Sequence, residues 1–308
     1  MELLQNYKGA VFFVDILGIS ALTNNNITLT NEDFKPWLKS KREKYSNQYL
    51  GASILVEFRK LLLKLGKENT KLKITQLSDC AFIWSEEISD VIIFCSKFMH
   101  QAIENGILCR GGIAYGEIIE TNHSHELGRF ILGDAVTQAA KLEGQSKGCR
   151  ILINRELPEN FWEQNLETAN KIYSLFQPFT NPVDFTIYDE FKWYLTPELD
   201  YQNLTDLNYI NHTDKINFTK NRLKLANKLR CSTKYNWNSK STEGRVQLIS
   251  SIKFLSENYL MEVLHNFGWE NIIDKRDEKT VDKINSKIEN YLDYRKFKPF
   301  SFPNDWDE

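Results

Sequence analysis

The stretch Val11–Ser20 reads VFFVDILGIS: four apolar residues, one Asp, then a short loop that holds a Gly. Extended back to Lys8, the run predicts a strand over residues 8–16, apolar enough to be buried on both faces. A carboxylate at the end of such a strand needs a reason, because an isolated buried charge is costly. The following segments supply one. Leu50, Ile54, Leu55, Phe58, Leu61, Leu62 and Leu65 recur at helical spacing, which predicts a helix over 49–65. Two short strands follow at 71–77 and 80–85, joined in a tight hairpin at LSDC. Residues 89–105 are helical by period, and 107–114 read as a strand.

The order is β-α-β-β-α-β, the split βαβ pattern of a ferredoxin-like sheet. Right-handed crossovers place the third strand between the first and second. The C-terminal end of the first strand then lies beside the hairpin that opens the third. Asp15 and Asp79, 64 positions apart, meet at one edge of the sheet. Two ionised carboxylates in such a place repel each other, and a hard divalent cation, Mg²⁺ or Mn²⁺, resolves the conflict. The loop Ile16, Leu17, Gly18, Ile19, Ser20 can turn backbone N–H groups toward an anion, with Gly18 allowing close approach. A metal pair beside a phosphate-holding loop is the machinery of nucleotidyl transfer. The plainer alternative is that Asp15 caps a helix and Asp79 is a turn residue.

Four motifs then bear on the family. FVDILG (13–18), LSDCAF (77–82), CRGGIAYG (109–116) and LGDAVTQAAKLE (132–143) resemble, in the same order, the metal, strand and helix motifs of the class III nucleotidyl cyclases. The fold implied is α+β: a ferredoxin-like βαββαβ, palm-type cyclase core with a helical C-terminal extension. The resemblance implies that Asp15 and Asp79 ligate two divalent ions per site, Mn²⁺ or Mg²⁺, with the Ile16 carbonyl as a further ligand. It implies that Leu17, Gly18, Ile19 and Ser20 cradle the β- and γ-phosphates and that Arg110 binds phosphate. It further implies a homodimer with composite sites, each taking its metals from one chain and its base and transition-state contacts from the other.

The departures from the family pattern are specific. Thr75 and Phe130 stand where purine cyclases carry their two base-reading residues, so the pair matched to adenine is missing. Thr137 and Lys141 stand where the family has a transition-state Asn and Arg; Lys keeps the charge without the planar fork. With Ser78 before Asp79 and Gly-Gly after Arg110, these departures resemble the bacterial pyrimidine cyclases of the Pycsar anti-phage systems. That branch implies a nucleoside triphosphate substrate, UTP favoured over CTP, and a 3′,5′-cyclic nucleotide product with pyrophosphate. The product would be a second messenger read by a separate effector. Rival readings are an adenylyl or guanylyl cyclase with unusual base contacts, and a degenerate, non-catalytic nucleotide-binding homologue.

The catalytic domain is expected over 1–200 and the helical extension over 201–308, with helices at 220–229, 246–266 and 278–294. Within the first part, strands are expected at 116–125 and 150–154, a helix at 133–148, and a strand or hairpin in 182–195. Residues 23–47 read as an inserted polar loop with a short helix. Against 41 acidic residues stand 39 Lys and Arg, so no global field recruits nucleic acid or an anionic membrane. No apolar run reaches the roughly 20 residues that span a bilayer, and MELLQNYKGA lacks the pattern of a secretory signal. Five widely spaced cysteines without CxxC argue against zinc and disulfides, and a reducing cytoplasm is the default. His123 and His125 read as solvated loop residues, Arg129 reaches either nucleotide or Glu126, and the 39–44 basic cluster as a solvated face. Trp162, Trp193, Trp237 and Trp269 read as core.

Overall fold

The computed structural model describes residues 4–39, 41–121, 130–195, 198–199 and 241–253. Its centre is the strand that the opening stretch predicts. β1 (Leu4–Ile16) is longer than expected, and its two sides face two different layers. Ala10, Phe12, Val14 and Ile16 enter the main core, while Val11 packs with Trp84, Ala114, Ile118, Ala135 and Ala139 on the opposite face. Burial on both sides is why the run is apolar without alternation.

The main core is closed by two helices. α3 (Asn47–Glu68) buries Leu50, Ile54, Phe58, Leu61, Leu62 and Leu65, and the Ser46 hydroxyl caps it by accepting from the Tyr49 N–H at 3.3 Å. α4 (Ile88–Glu104) brings Phe98 edge-on to Phe12 and Phe58, with ring centroids 6.3 and 5.7 Å apart. Before them lie α1 (Ile19–Thr23) and α2 (Asn31–Leu38). The Asp33 carboxylate closes the start of α2 by accepting from the N–H and hydroxyl of Thr30 at 2.9 and 2.8 Å.

Among the described residues, eight strands form one sheet: β2 (Lys73–Leu77), β3 (Cys80–Ser85), β1, β4 (Cys109–Thr121), β6 (Ile151–Ile153), β8 (Ile187–Phe191), β7 (Phe176–Thr180), with β5 (Ile131–Leu132) against β4. The third strand lies between the first and second, and β1 is antiparallel to both β3 and β4. This is the α+β, ferredoxin-like core expected from the sequence. No helix among the described residues is long and apolar enough to cross a membrane.

α5 (Asp134–Gln145) lies on the second face of the sheet, over β4 and β1. Gly112 permits this approach, because a Cβ there would strike the Ala139 carbonyl and the Leu142 side chain. A Cβ on Gly111 would strike the Phe12 ring on the other face. The Gly-Gly that follows Arg110 is thus a packing requirement on both sides of one strand. α6 (Glu156–Gln164) and α7 (Leu166–Ile172) lead to β7, and α8 (Thr242–Lys253) belongs to the C-terminal part.

Four expectations need correction. The strands assigned to 107–114 and from 116 are one strand, β4, because β1 pairs with it continuously from Leu4↔Thr121 to Ile16↔Cys109. Gly116 stays within the ladder and makes room for the Asp134 carboxylate. β7 was not expected; Pro178 has no N–H to give the ladder, yet the pairing with β8 carries the strand. Trp162 is 45% exposed, whereas Trp193 is buried and donates to the Cys149 carbonyl at 3.0 Å. The helix expected over 246–266 starts earlier, at Thr242, and is described to Lys253; 220–229, 254–266, 278–294, His123, His125, Arg129, Trp237 and Trp269 lie outside the described residues. The 200/201 boundary also falls next to residues outside the description. Cys80, Cys95, Cys109 and Cys149 are free thiols.

Candidate active site

The site begins with ladder geometry. Asp15 stands opposite Cys80 on β3 and opposite Arg110 on β4. One residue later the Ile16 N–H donates to the Asp79 carbonyl at 3.1 Å, and the Leu17 N–H donates to the Leu108 carbonyl at 2.8 Å. Asp79 itself is the second residue of the β2–β3 turn, after Ser78, whose φ of 58° is left-handed. A non-glycine residue in that region is strained. Gly18, at φ 90°, then turns the chain out of β1 into α1. The first N–H groups of that helix, from Gly18 to Ala21, precede its repeating bonds and open toward the same end of the sheet.

Side chains of one sheet face repeat every second residue, so Asp15 shares the α5 face with Val11 and Phe13. α5 answers it with Glu143, which is buried and ion-paired with the Arg110 guanidinium. Burial pushes the Asp15 carboxyl up to about 7, helped by Glu143 and Asp79 and opposed by Arg110. The Cys80 thiol is pushed up to about 11 by burial and then by Asp15, Asp79 and Glu143. Burial leads in both cases, and the neighbouring carboxylates add to it.

A cleft of about 710 Å³ opens here. Asp15, Ile16, Gly18, Ser20, Asp79 and Arg110 line one part of it. The Ile16 side chain belongs to the core, so that residue meets the cleft through its main chain. The donor set is two carboxylates and a main-chain carbonyl, all hard oxygens, in a locality with excess negative charge. That chemistry fits Mg²⁺ or Mn²⁺. Among the described residues no group of three or more His, Cys, Asp or Glu is placed to hold a metal ion, so a cation here would rest on this pair, the carbonyl and its own water or substrate oxygens.

The residues picked out in the sequence fall into two sets. Asp15, Ile16, Leu17, Gly18, Ser20, Asp79 and Arg110 all line the cleft. Ile19 opens α1 with its side chain in the core. Leu17 lines the cleft, but its N–H is already engaged by the Leu108 carbonyl. The other four do not line the cleft. Thr75 pairs with Phe82 on the edge strand β2. Phe130 is 51% exposed, and its carbonyl accepts from the Thr121 N–H. Thr137 and Lys141 are exposed and one turn apart on α5, with the Thr137 hydroxyl donating to the Gly133 carbonyl at 3.1 Å.

Five contributors were not singled out in the sequence. Glu143 sits inside the KLE motif and could have been flagged as a carboxylate beside an arginine. Lys147, in QSKGCR, lines the cleft. So do Thr242, Glu243 and Gln247 of α8, about a hundred residues further along, which no local pattern announces.

No protein-family model matches the chain, and no curated protein matches it. Among solved structures it is similar to the monomeric guanylyl cyclase domain of the RhoGC fusion protein from the aquatic fungus Blastocladiella emersonii, at 17% identity over 61% of this chain and 98% of that one, with a TM-score of 0.39. It is similar to the adenylyl cyclase CyaB from P. aeruginosa at 20% identity over 62% and 96%, with a TM-score of 0.38. A third, the guanylyl cyclase Cya2, is 12% identical over 66% and 98%, with a TM-score of 0.42.

Proposed function

We propose that this chain is a metal-dependent nucleotide cyclase that converts a pyrimidine nucleoside triphosphate, UTP in preference to CTP, to a 3′,5′-cyclic nucleotide and pyrophosphate. The observation that carries the reading is the meeting of Asp15 and Asp79 on adjoining strand ends, in one cleft with the Gly18 loop and Arg110. Asp15, Asp79 and the Ile16 carbonyl would hold two Mg²⁺ or Mn²⁺ ions, which when bound activate the ribose 3′-OH and stabilise charge on the leaving pyrophosphate. The chain's own contribution is placement. The N–H groups from Gly18 onward hold the terminal phosphates, and Arg110, braced by Glu143, orients the phosphate chain. The 3′-OH loses its proton to solvent, its oxygen bonds to the α-phosphorus, and the bond from that phosphorus to the β-phosphate bridging oxygen breaks in line, releasing pyrophosphate.

The second set of residues supports a composite site. Thr75, Phe130, Thr137 and Lys141 stand outside the cleft of their own chain, and in a head-to-tail homodimer they serve the partner's cleft. Thr75 and Phe130 then read the base, a short hydroxyl and an aromatic face in place of a purine-matched pair. Thr137 and Lys141 contact the transition state. By the resemblance to the anti-phage pyrimidine cyclases, the product is a second messenger read by a separate effector. Incubating the full chain with Mn²⁺ and each of the four NTPs tests the reading. Cyclic product from UTP above CTP is expected. Product from ATP or GTP alone overturns the pyrimidine assignment, and no product from any of them overturns the enzyme. Substituting Thr75 and Phe130 should reorder the four substrates while leaving the Mn²⁺ dependence in place.

A further inference from the structure

The cleft has a second wall, and it is built by residues far from the cyclase motifs. Lys147 stands on the loop between α5 and β6, and Thr242, Glu243 and Gln247 of α8 line the cleft beside it. The loop and the helix are joined along their length. The Gly148 N–H donates to Gln247 Oε1 at 2.6 Å, and the Cys149 N–H to Ser251 Oγ at 2.9 Å. In return the Ser250 hydroxyl donates to the Lys147 carbonyl at 2.7 Å. Gly148 has a φ of +75°, and a Cβ there would lie 2.5 Å from the Ser251 nitrogen. Below the loop, the buried Arg150 guanidinium donates to the Ser250 carbonyl at 3.3 Å and pairs with Glu190 at 2.6 Å.

The charges in this cleft are unevenly matched. Asp15 and Asp79 would hold the metals, and Glu143 takes up the Arg110 guanidinium. Lys147 donates to the Gly144 carbonyl at 3.2 Å and makes no ion pair among the described residues. Burial, and then the neighbouring Arg110, lower its pKa, opposed by Glu143, Asp184 and Glu243. A cation held partly out of water beside a second cation, at the wall of a cleft, is set for an incoming polyanion.

We propose that Lys147 binds the polyphosphate of the substrate within the chain that supplies Asp15 and Asp79, and that α8 positions it by clamping the 147–149 loop. This rests on the reading of the cleft as a nucleoside triphosphate site. It makes Lys147 a binding residue and Gln247 a positioning residue, and it makes part of the C-terminal segment a wall of the site.

The test uses the full chain, Mn²⁺ and inorganic tripolyphosphate, with binding measured by calorimetry and turnover measured separately on UTP. Lys147→Met should weaken tripolyphosphate binding by about ten-fold or more, the loss of one charge-assisted contact, and Lys147→Arg should recover most of it. Gln247→Ala should weaken it by about three-fold and raise KM for UTP more than it lowers kcat. Binding of Mn²⁺ alone should not change in any of the three. Unaltered tripolyphosphate affinity in a folded Lys147→Met protein, shown by its circular dichroism, overturns the Lys147 assignment. Unaltered affinity in Gln247→Ala overturns the role of α8. A chain that binds tripolyphosphate through Lys147 but forms no cyclic product overturns the cyclase reading and leaves this one standing. A chain that cyclises UTP with Lys147→Met unaffected does the reverse.

Discussion

Ile16 and Asp79 are joined by a main-chain hydrogen bond, the Ile16 N–H donating to the Asp79 carbonyl at 3.1 Å. It carries the β1–β3 ladder one step beyond the Asp15↔Cys80 pair. Asp15 is one register step from that bond, and Asp79 leaves the ladder at the turn. Both residues line the same cleft.

Asp79→Ala should separate chemistry from folding. The Asp79 side chain makes no hydrogen bond among the described residues, so its removal should cost stability less than about 1 kcal/mol. Turnover with Mn²⁺ should fall at least about a thousand-fold, some 4 kcal/mol of barrier. Thermal melting and product formation on the same preparation check both halves. A mutant that still cyclises would remove the metal assignment.

Metal binding should depend on pH through Asp15. Burial, Glu143 and Asp79 against Arg110 push its carboxyl up to about 7, above the ordinary value near 4 that holds in the unfolded chain. The folded, metal-free protein thus binds the proton more tightly than the unfolded one. Its stability from this group is greatest below about pH 4 and declines as pH rises toward 7. A divalent ion competes with that proton, so Mn²⁺ affinity should climb by up to about ten-fold per pH unit below 7 and level off above it. Calorimetric titration at several pH values measures the slope, and Asp15→Asn should flatten it. A slope unchanged by that substitution would assign the proton elsewhere.

Ser78→Gly should stabilise the protein. Ser78 holds a φ of 58° at the turn that delivers Asp79. Relieving the left-handed strain gains about 1–2 kcal/mol, and the added freedom of Gly in the unfolded chain returns part of it. A net gain of about 0.5–1 kcal/mol should appear as a higher melting temperature, with Mn²⁺ dependence unaltered. A lower melting temperature would mean that the Ser side chain contributes a contact of its own.

Gly112→Ala should be among the most damaging small substitutions in the core. The new methyl would collide with the Ala139 carbonyl and the Leu142 side chain, pushing α5 from the sheet and with it Glu143 from Arg110. A loss of about 2–4 kcal/mol is expected, in the range of overpacked cores. Denaturant unfolding monitors it. A change below about 0.5 kcal/mol would show that α5 moves without cost.

Breaking the Arg150–Glu190 pair should also be costly. Both side chains are buried, and Tyr194 OH donates to the same Glu190 carboxylate at 3.0 Å. Glu190→Gln leaves a buried guanidinium without its counter-charge, which costs about 3–5 kcal/mol. Because Arg150 also holds the Ser250 carbonyl, protection of α8 amides in hydrogen exchange should fall together with global stability. Unchanged protection there would uncouple the pair from the helix.

The core topology and half of the site were legible in the chain because each depends on short-range patterns. VFFV is apolar throughout because β1 is buried on both faces. LSDC marks a turn because its flanking strands alternate, and right-handed crossovers leave one order for four strands. From these alone Asp15, Asp79 and the Gly18 loop fall at one end of the sheet; Arg110 joins them through the resemblance of its motif. The continuity of β4 through Gly116, the pairing of β7 in spite of its Pro, and the exposure of Trp162 depend on which partner each segment meets. Propensity does not contain that information. The second wall of the cleft was the least legible part. Gln247, Ser250 and Ser251 reach Gly148, Cys149 and Arg150 across about a hundred residues. A polar contact at that separation leaves no period in the sequence, and only the folded chain decides that Lys147 and α8 stand across from the two aspartates.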